Sequence, residues 1–320
     1  MGRRRKRKGL PIHGWLAIHK EPGLSSSQIV ERVIRTTKAN KAGHGGTLDP
    51  FSEGLLPIAL GEATKTSGMV LNGDKSYRCW LKFGQETDSG DLTGEIVHEG
   101  GSIPSQADLE AVLPRFVGEI EQIPPAFSAL RVDGERAYKK ARRGEEVQLA
   151  ARCVKIDRLE LVGFEEDTAI LDVACGKGTY IRSLGVDIAR ALGSLGHLTR
   201  LLRTGTMGFG LNDAVTLDQL RETCSEGRLQ EILYPVDRVL DDIPALRMTG
   251  NAWYHLRQGQ EVEVEDATTP AGMVRLQDPE GRFGLLGEIS ATADLQGQRR
   301  IKPTRLFHLD KPPGSDQTAQ

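Results

Sequence analysis

The stretch Gly43-His44-Gly45-Gly46-Thr47-Leu48-Asp49-Pro50 constrains this chain more than any other. Glycines at 43, 45 and 46 give the backbone a freedom that a simple helix start does not need. Asp-Pro after them is, taken alone, an ordinary N-cap followed by a first-turn proline. Gly54 and Pro57 then leave room for barely one helical turn, and 55–60 is a short apolar run interrupted by Pro57. The segment therefore reads as an aspartate carried on a glycine-rich turn between short elements, a usual way for a loop to carry chemistry. Glu53, four residues on, reads as a solvated acid of a helical turn.

Short strands and helices surround this turn, which makes the fold class α+β. Residues 14–19 read as a strand. Ser25 and Gln28 have the spacing of a capping box, with Ile29, Val30, Val33 and Ile34 following at helical intervals. Residues 75–83 alternate, with Tyr77, Cys79, Leu81 and Phe83 on one face and Arg78, Trp80 and Lys82 on the other. A helical stretch covers 106–116. Residues 169–175 form another apolar strand ending at Gly176-Lys177-Gly178. Thr179 is placed there to cap a helix carrying Ile181, Leu184, Ile188 and Leu192 on one side. Arg182 falls in the first turn of that helix, where a cation opposes the helix dipole by about 0.3–1 kcal/mol. Beyond about residue 240 the chain breaks into short alternating runs, the texture of a small β domain.

Several functions are excluded. No run of apolar residues is long enough to span a membrane, and the start has no secretory h-region. The cysteines at 79, 153, 175 and 224 lack metal-ligand spacing, and their scatter suits a reducing cytoplasm. A phosphate-binding P-loop fails twice, because Lys177 is followed by Gly178 and Leu171 stands where the first glycine belongs. The 320 residues balance 42 basic against 44 acidic side chains. The distribution is uneven: residues 3–8 are all basic, 85–122 hold one basic and nine acidic side chains, and 213–242 hold three and eight. Arg136, Lys139, Lys140, Arg142 and Arg143 form a basic run on one side of a helix.

Taken together, these residues resemble the TruB-type tRNA pseudouridine synthases. Residues 42–65 are similar to that family's catalytic-aspartate motif, and 75–94 to its tyrosine strand and the turn after it. Residues 124–147 resemble its RNA-gripping thumb, 178–184 its arginine motif and 197–209 its last core motif. The segment after 240 resembles a PUA-like domain. His19-Lys20-Glu21-Pro22 departs from the usual Asp-Lys-Pro, and Leu202 stands where a second basic residue is common.

The resemblance implies a pseudouridine synthase fold: a mixed, mostly antiparallel sheet flanked by helices and loops, plus a small all-β PUA-like domain. It implies a basic, disordered arm at 1–10, a catalytic domain over 11–240 with a thumb-like insertion at 124–152, the PUA-like domain at 245–310 and a tail at 311–320. The implied reaction isomerises the T-loop uridine of tRNA, position 55, to pseudouridine. Breaking the ribose–N1 bond and forming a ribose–C5 bond involves no net redox change, so neither cofactor nor metal is expected. Asp49 is the implied catalytic carboxylate and Arg182 its cationic partner, with Tyr77 a third catalytic residue, stacked on the target base and a candidate to accept the final proton from C5. His44 would enter the T-loop, with Tyr180 and Leu201 around the pocket. RNA contacts are implied at Lys20, Arg136, Lys139, Lys140 and Arg143. The expected partner is tRNA, through its T-arm and acceptor stem, with no membrane, no obligatory protein partner and a monomeric enzyme in the cytoplasm. Acidic segments should lie away from the RNA groove. An RNA-binding or RNA-folding module, or the RNA-guided subunit of a ribonucleoprotein, is the alternative.

Overall fold

A computed structural model describes residues 9–309 except 129, 133, 265–268 and 294–297. The basic stretch at 3–8 and the tail from 311 lie outside the described residues. In chain order the main domain contains β1 (Gly14–Lys20), α1 (Ser26–Thr37), β2 (Ala42–His44), β3 (Glu53–Leu60), α2 (Ser67–Asn72), β4 (Lys75–Phe83), β5 (Gln85–Thr87), β6 (Ile96–Glu99), α3 (Gln106–Val112) and β7 (Gly118–Gln122). There follow β8 (Arg131–Val132), β9 (Glu135–Arg136), α4 (Ala137–Arg142), β10 (Arg152–Glu165), β11 (Thr168–Cys175), α5 (Ile181–Ala191), β12 (Gly196–Thr206), β13 (Phe209–Gly210) and α6 (Leu217–Ser225). The second domain has β14 (Ala245–Arg247), α7 (Gly250–Arg257), β15 (Val262–Glu263), β16 (Gly272–Gln277), β17 (Phe283–Ile289) and β18 (Arg300–Leu306).

The main sheet runs β1-β3-β12-β4-β11-β10-β7, with β2 and β13 paired at its margins. Its pairings are antiparallel except β3 with β12, where Glu53 and Gly54 lie beside Leu202 and Arg203. The fold is thus the α+β mixed sheet expected, with a second, five-stranded sheet that also carries one helix, α7.

Alternation decides what each strand buries. Cys79, Leu81 and Phe83 of β4, with Leu171 and Val173 of β11, form one core against Ile181, Leu184 and Ile188 of α5. A second core joins Leu16, Ile18, Leu56 and Ile58 to Ile29 and Val33 of α1 and Leu220 of α6. Tyr77 packs against both, so its ring stands at the seam between them. The expected capping box is present: the Ser25 hydroxyl accepts the Gln28 N–H and the Gln28 side chain accepts the Ser25 N–H.

Two local expectations are corrected. Pro57 lies inside β3 and does not interrupt it. Its carbonyl accepts the Gly45 N–H at 2.8 Å. Carbonyl and nitrogen of one strand residue point to the same edge, and there β12 has ended and β2 not begun, so no ladder bond is lost. Thr179 does not cap α5; its hydroxyl donates to the Gly176 carbonyl. The residue at the cap is Tyr180, whose N–H and carbonyl are both taken by the side-chain amide of Gln122, at 2.7 and 3.0 Å.

The two domains are joined tightly. Leu286 and Phe307 enter a core with Trp15, Leu55 and Phe209. The Lys65 ammonium donates to the Leu306 carbonyl at 2.7 Å, and the His308 N–H to the Glu62 carboxylate at 2.9 Å.

The β3–β12 contact depends on Gly54. At φ +98°, a Cβ there would lie 2.4 Å from the Arg203 carbonyl oxygen. Gly54→Ala combines an unfavourable backbone region with a backbone clash and should destabilise the fold by about 2–4 kcal/mol. A lowered chemical-denaturation midpoint is the expected reading; an unchanged midpoint would mean that β3 can move off β12 without cost.

Candidate active site

The close approach at Gly54 sets the site. Arg203 of β12 lies beside Gly54 on one side and directly opposite Tyr77 of β4 on the other. Asp49 stands in the turn leading into β3, and α5 brings Arg182 in beside it. These residues converge on a cavity of about 300 Å³, the low end of small-molecule sites. Asp49, Tyr77, Tyr180, Arg182, Leu201 and Arg203 all line it.

Asp49 does not cap a helix. The chain makes one turn, with the Ser52 N–H on the Asp49 carbonyl at 3.1 Å, and β3 begins at Glu53. The carboxylate meets Arg182, whose Nε donates to Oδ2 at 2.9 Å with a second guanidinium nitrogen at 2.9 Å. The side chain of Arg182 is only 4% exposed and that of Asp49 is 35% exposed, so the anion faces the cavity from a buried cation. Other N–H groups of Arg182 donate to the carbonyls of Ser89 and Phe127, each at 2.8 Å. Asp91 lies behind it at 3.5 Å. A cation at a helix N-terminus is therefore compensated by two carboxylates.

The acids of 85–122 are absent from the described lining of this cavity. Asp91 alone approaches, from the far side of Arg182. Glu86, Asp88 and Glu121 face a separate cavity that Arg182 also borders.

Burial pushes the Tyr77 phenol above its usual value, although the Arg203 guanidinium opposes this. Burial likewise raises Tyr180. His44 sits on β2 and is not part of the cavity lining. Burial first, and Arg203 second, hold its imidazole below the usual value, and its Nδ1 is buried without a hydrogen-bond partner.

Lys20 is not a surface contact for RNA. It is fully buried, and its ammonium donates to the carbonyls of Pro50 (3.1 Å), Glu21 (3.2 Å) and Ser52. It clamps the turn that carries Asp49. Glu53 is not a solvated turn acid either: it lies in β3 and pairs with Arg200, which stacks on Trp80 at 4.3 Å.

Arg136, Lys139, Lys140 and Arg143 belong to the hairpin β8–β9 and the short helix α4, outside the described cavity lining. Arg143 is already engaged, by Glu135 at 2.8 Å and Glu145 at 2.6 Å, acids that flank the basic run.

Arg203 and Lys75, which fall within the segments 197–209 and 75–94, are given no site role by the sequence. Arg203 is 1% exposed, and its guanidinium reaches the carbonyls of Leu55 (2.6 Å) and Gly46 (3.2 Å). Lys75 is buried as well and donates to the carbonyls of Val70, Leu71 and Gly73. Alternation hinted at Lys75, which shares the inward face of Tyr77.

The chain is similar to known proteins over almost its whole length. Residues 34–181 match the N-terminal domain of TruB family pseudouridylate synthases, 182–241 the tRNA pseudouridylate synthase B C-terminal domain, and 244–307 the C-terminal domain of pseudouridine synthase II TruB. tRNA pseudouridine synthase B of Bradyrhizobium diazoefficiens is 43% identical over 316 residues, spanning 96% of this chain and 89% of its own. Its counterpart in Caulobacter vibrioides is 42% identical, spanning 95% and 99%. Among solved structures, a chain in a Cbf5-Nop10-Gar1 complex has the same fold, with a TM-score of 0.71 at 24% identity over 92% of this chain and 85% of that one. The fold is that of a pseudouridine synthase. The chain belongs to the TruB family.

The buried lysine at the turn has a measurable signature. Burial lowers Lys20 to about 8, whereas an unfolded lysine keeps its proton to about 10.4. Between these values the unfolded chain binds the extra proton, so stability gains with rising pH, by up to about 1.4 kcal/mol per pH unit for one group. Wild type should gain on Lys20→Met in that window and not below it. Parallel stability–pH curves for the two proteins would contradict the assignment.

Proposed function

We propose that the protein isomerises uridine to pseudouridine in the T-loop of tRNA, at position 55, acting without a protein partner. The observation that carries this reading is the Asp49–Arg182 pair, with its carboxylate open to a pocket walled by Tyr77, Tyr180 and Leu201. Its relatives in Bradyrhizobium and Caulobacter bear the name tRNA pseudouridine synthase B. A uridine in a tRNA loop must leave its stack to reach such a recessed group, and an extruded base is then held by stacking and apolar walls.

Cleaving the ribose–N1 bond develops positive charge on the sugar, which a carboxylate can attack or stabilise. In this reading Asp49 is that group, and the paired guanidinium of Arg182 orients its carboxylate towards the pocket. Tyr77 meets the base as a neutral ring, because burial keeps its phenol protonated. Leu201 and Tyr180 shape the space in which the detached uracil turns to offer C5. His44, neutral on β2 outside the cavity lining, enters the T-loop and fills the space the extruded bases leave.

The thumb segment, with Arg136, Lys139 and Lys140, lies against the T-arm backbone, and the second domain reaches towards the acceptor stem. This arrangement favours an enzyme that grips tRNA by itself over an RNA-guided subunit or a binding module.

The test is release of the C5 hydrogen label from a T-arm transcript, with sequencing to locate pseudouridine. Wild type should convert position 55 without added cofactor. Asp49→Asn should lose about four orders of magnitude in rate, the scale for a group that takes part in bond making, while T-arm affinity stays within a few-fold. Turnover by the asparagine variant, or none by folded wild type, would defeat the proposal.

A further inference from the structure

Away from the cavity, arginines cluster where α1 packs against α6. Arg32 and Arg35 stand one turn apart on the outer side of α1, both exposed. Arg221 of α6 comes alongside, and with Thr36 and Leu217 the three enclose a small pocket of about 120 Å³. Arg221 pairs with Asp218 at 2.9 Å. Arg32 and Arg35 have no carboxylate within 4 Å among the described residues, and Glu31 on the same helix pairs with neither. An exposed pair of like charges so close together is mutually repulsive, and it is favoured only when an anion lies across both.

The positive face continues along the chain. Lys38 closes α1 in the left-handed conformation, at φ 58°. Lys41 is exposed and leads directly into β2, which ends at His44. The edge beside Gly43 is open, since a Cβ there would meet nothing within 4 Å. Leu10 is held here too, its N–H on the Lys38 carbonyl at 2.7 Å and its carbonyl accepting the Asn40 N–H at 2.9 Å.

We propose that the face of Arg32, Arg35 and Arg221, continued by Lys38 and Lys41 towards His44, binds the phosphate backbone of tRNA outside the T-arm. The inference rests on the tRNA reading above. Charge selects the occupant, because this run of cations fits a polyanion, and planar guanidiniums match phosphate oxygens in pairs. Continuity selects the RNA, since the face runs into the strand that carries His44. Position selects the part of the RNA: α1 and α6 share no element with β2, the thumb or the second domain, the parts that the reading above gives to the T-arm and acceptor stem.

The experiment compares the full chain with Arg32→Gln/Arg35→Gln and, separately, Lys38→Gln/Lys41→Gln. Dissociation constants for whole tRNA and for an isolated T-arm stem-loop are measured by filter retention across a series of KCl concentrations. Each double variant should weaken whole-tRNA binding about tenfold and reduce its log–log salt slope by about 1–2, as expected when two phosphate contacts are lost. T-arm binding should stay within twofold, and unchanged melting would exclude misfolding. An unchanged slope for whole tRNA would overturn the proposal, as would an equal loss on the T-arm alone. Binding is read without turnover, so tRNA that binds normally but is not isomerised would sink the functional reading and leave this one standing.

Discussion

Arg182 is the interaction on which the site depends. Its guanidinium is nearly sealed from solvent, and it draws together the Asp49 turn, the Ser89–Asp91 segment and the chain at Phe127. A buried charge is tolerated only when paired and hydrogen-bonded. The partners available are two carboxylates and two carbonyls from segments far apart in sequence. Each is therefore held in place by the need to satisfy one cation. The α5 N-terminus, which would itself repel that cation, is instead closed by the Gln122 amide on Tyr180.

The rest of the cavity is arranged by buried cations that face carbonyls. Lys20 clamps the turn after Asp49, Lys75 holds the end of α2, and Arg203 spans from β3 to the glycine turn. Burial lowers both lysines to about 8. Asp49 thus projects into a space whose other described lining residues are apolar, neutral polar or positive. That polarity suits an RNA substrate: of the acids of 85–122 none lines this cavity, and Glu86, Asp88 and Glu121 border a different one that Arg182 also reaches.

Much of this was legible in the sequence because periodicity and capping are local. The alternation of 75–83 placed Tyr77 on the inward face, and Ser25 with Gln28 marked the start of α1. The glycine turn signalled that Asp49 was no simple cap. The misreadings share a cause, which is that the deciding partner lies far along the chain. Lys20 looked like a surface cation until the carbonyls of Pro50 and Ser52 closed over it. Glu53 looked solvated because Arg200 is remote in sequence. Thr179 turned back to the Gly176 carbonyl while Gln122 fixed the backbone of Tyr180 before α5, and Arg203 gained its place only when β12 paired with both β3 and β4.

The account is tested most directly by replacing Arg182 and following single-turnover pseudouridine formation in the T-arm. If Arg182 holds Asp49 as the working anion, Arg182→Met should slow the chemical step by about 10²–10³-fold, the scale for losing one preorganised charge partner. Affinity for the T-arm should change little, and Arg182→Lys should recover part of the rate. A methionine variant that folds and turns over at the wild-type rate would contradict the central claim.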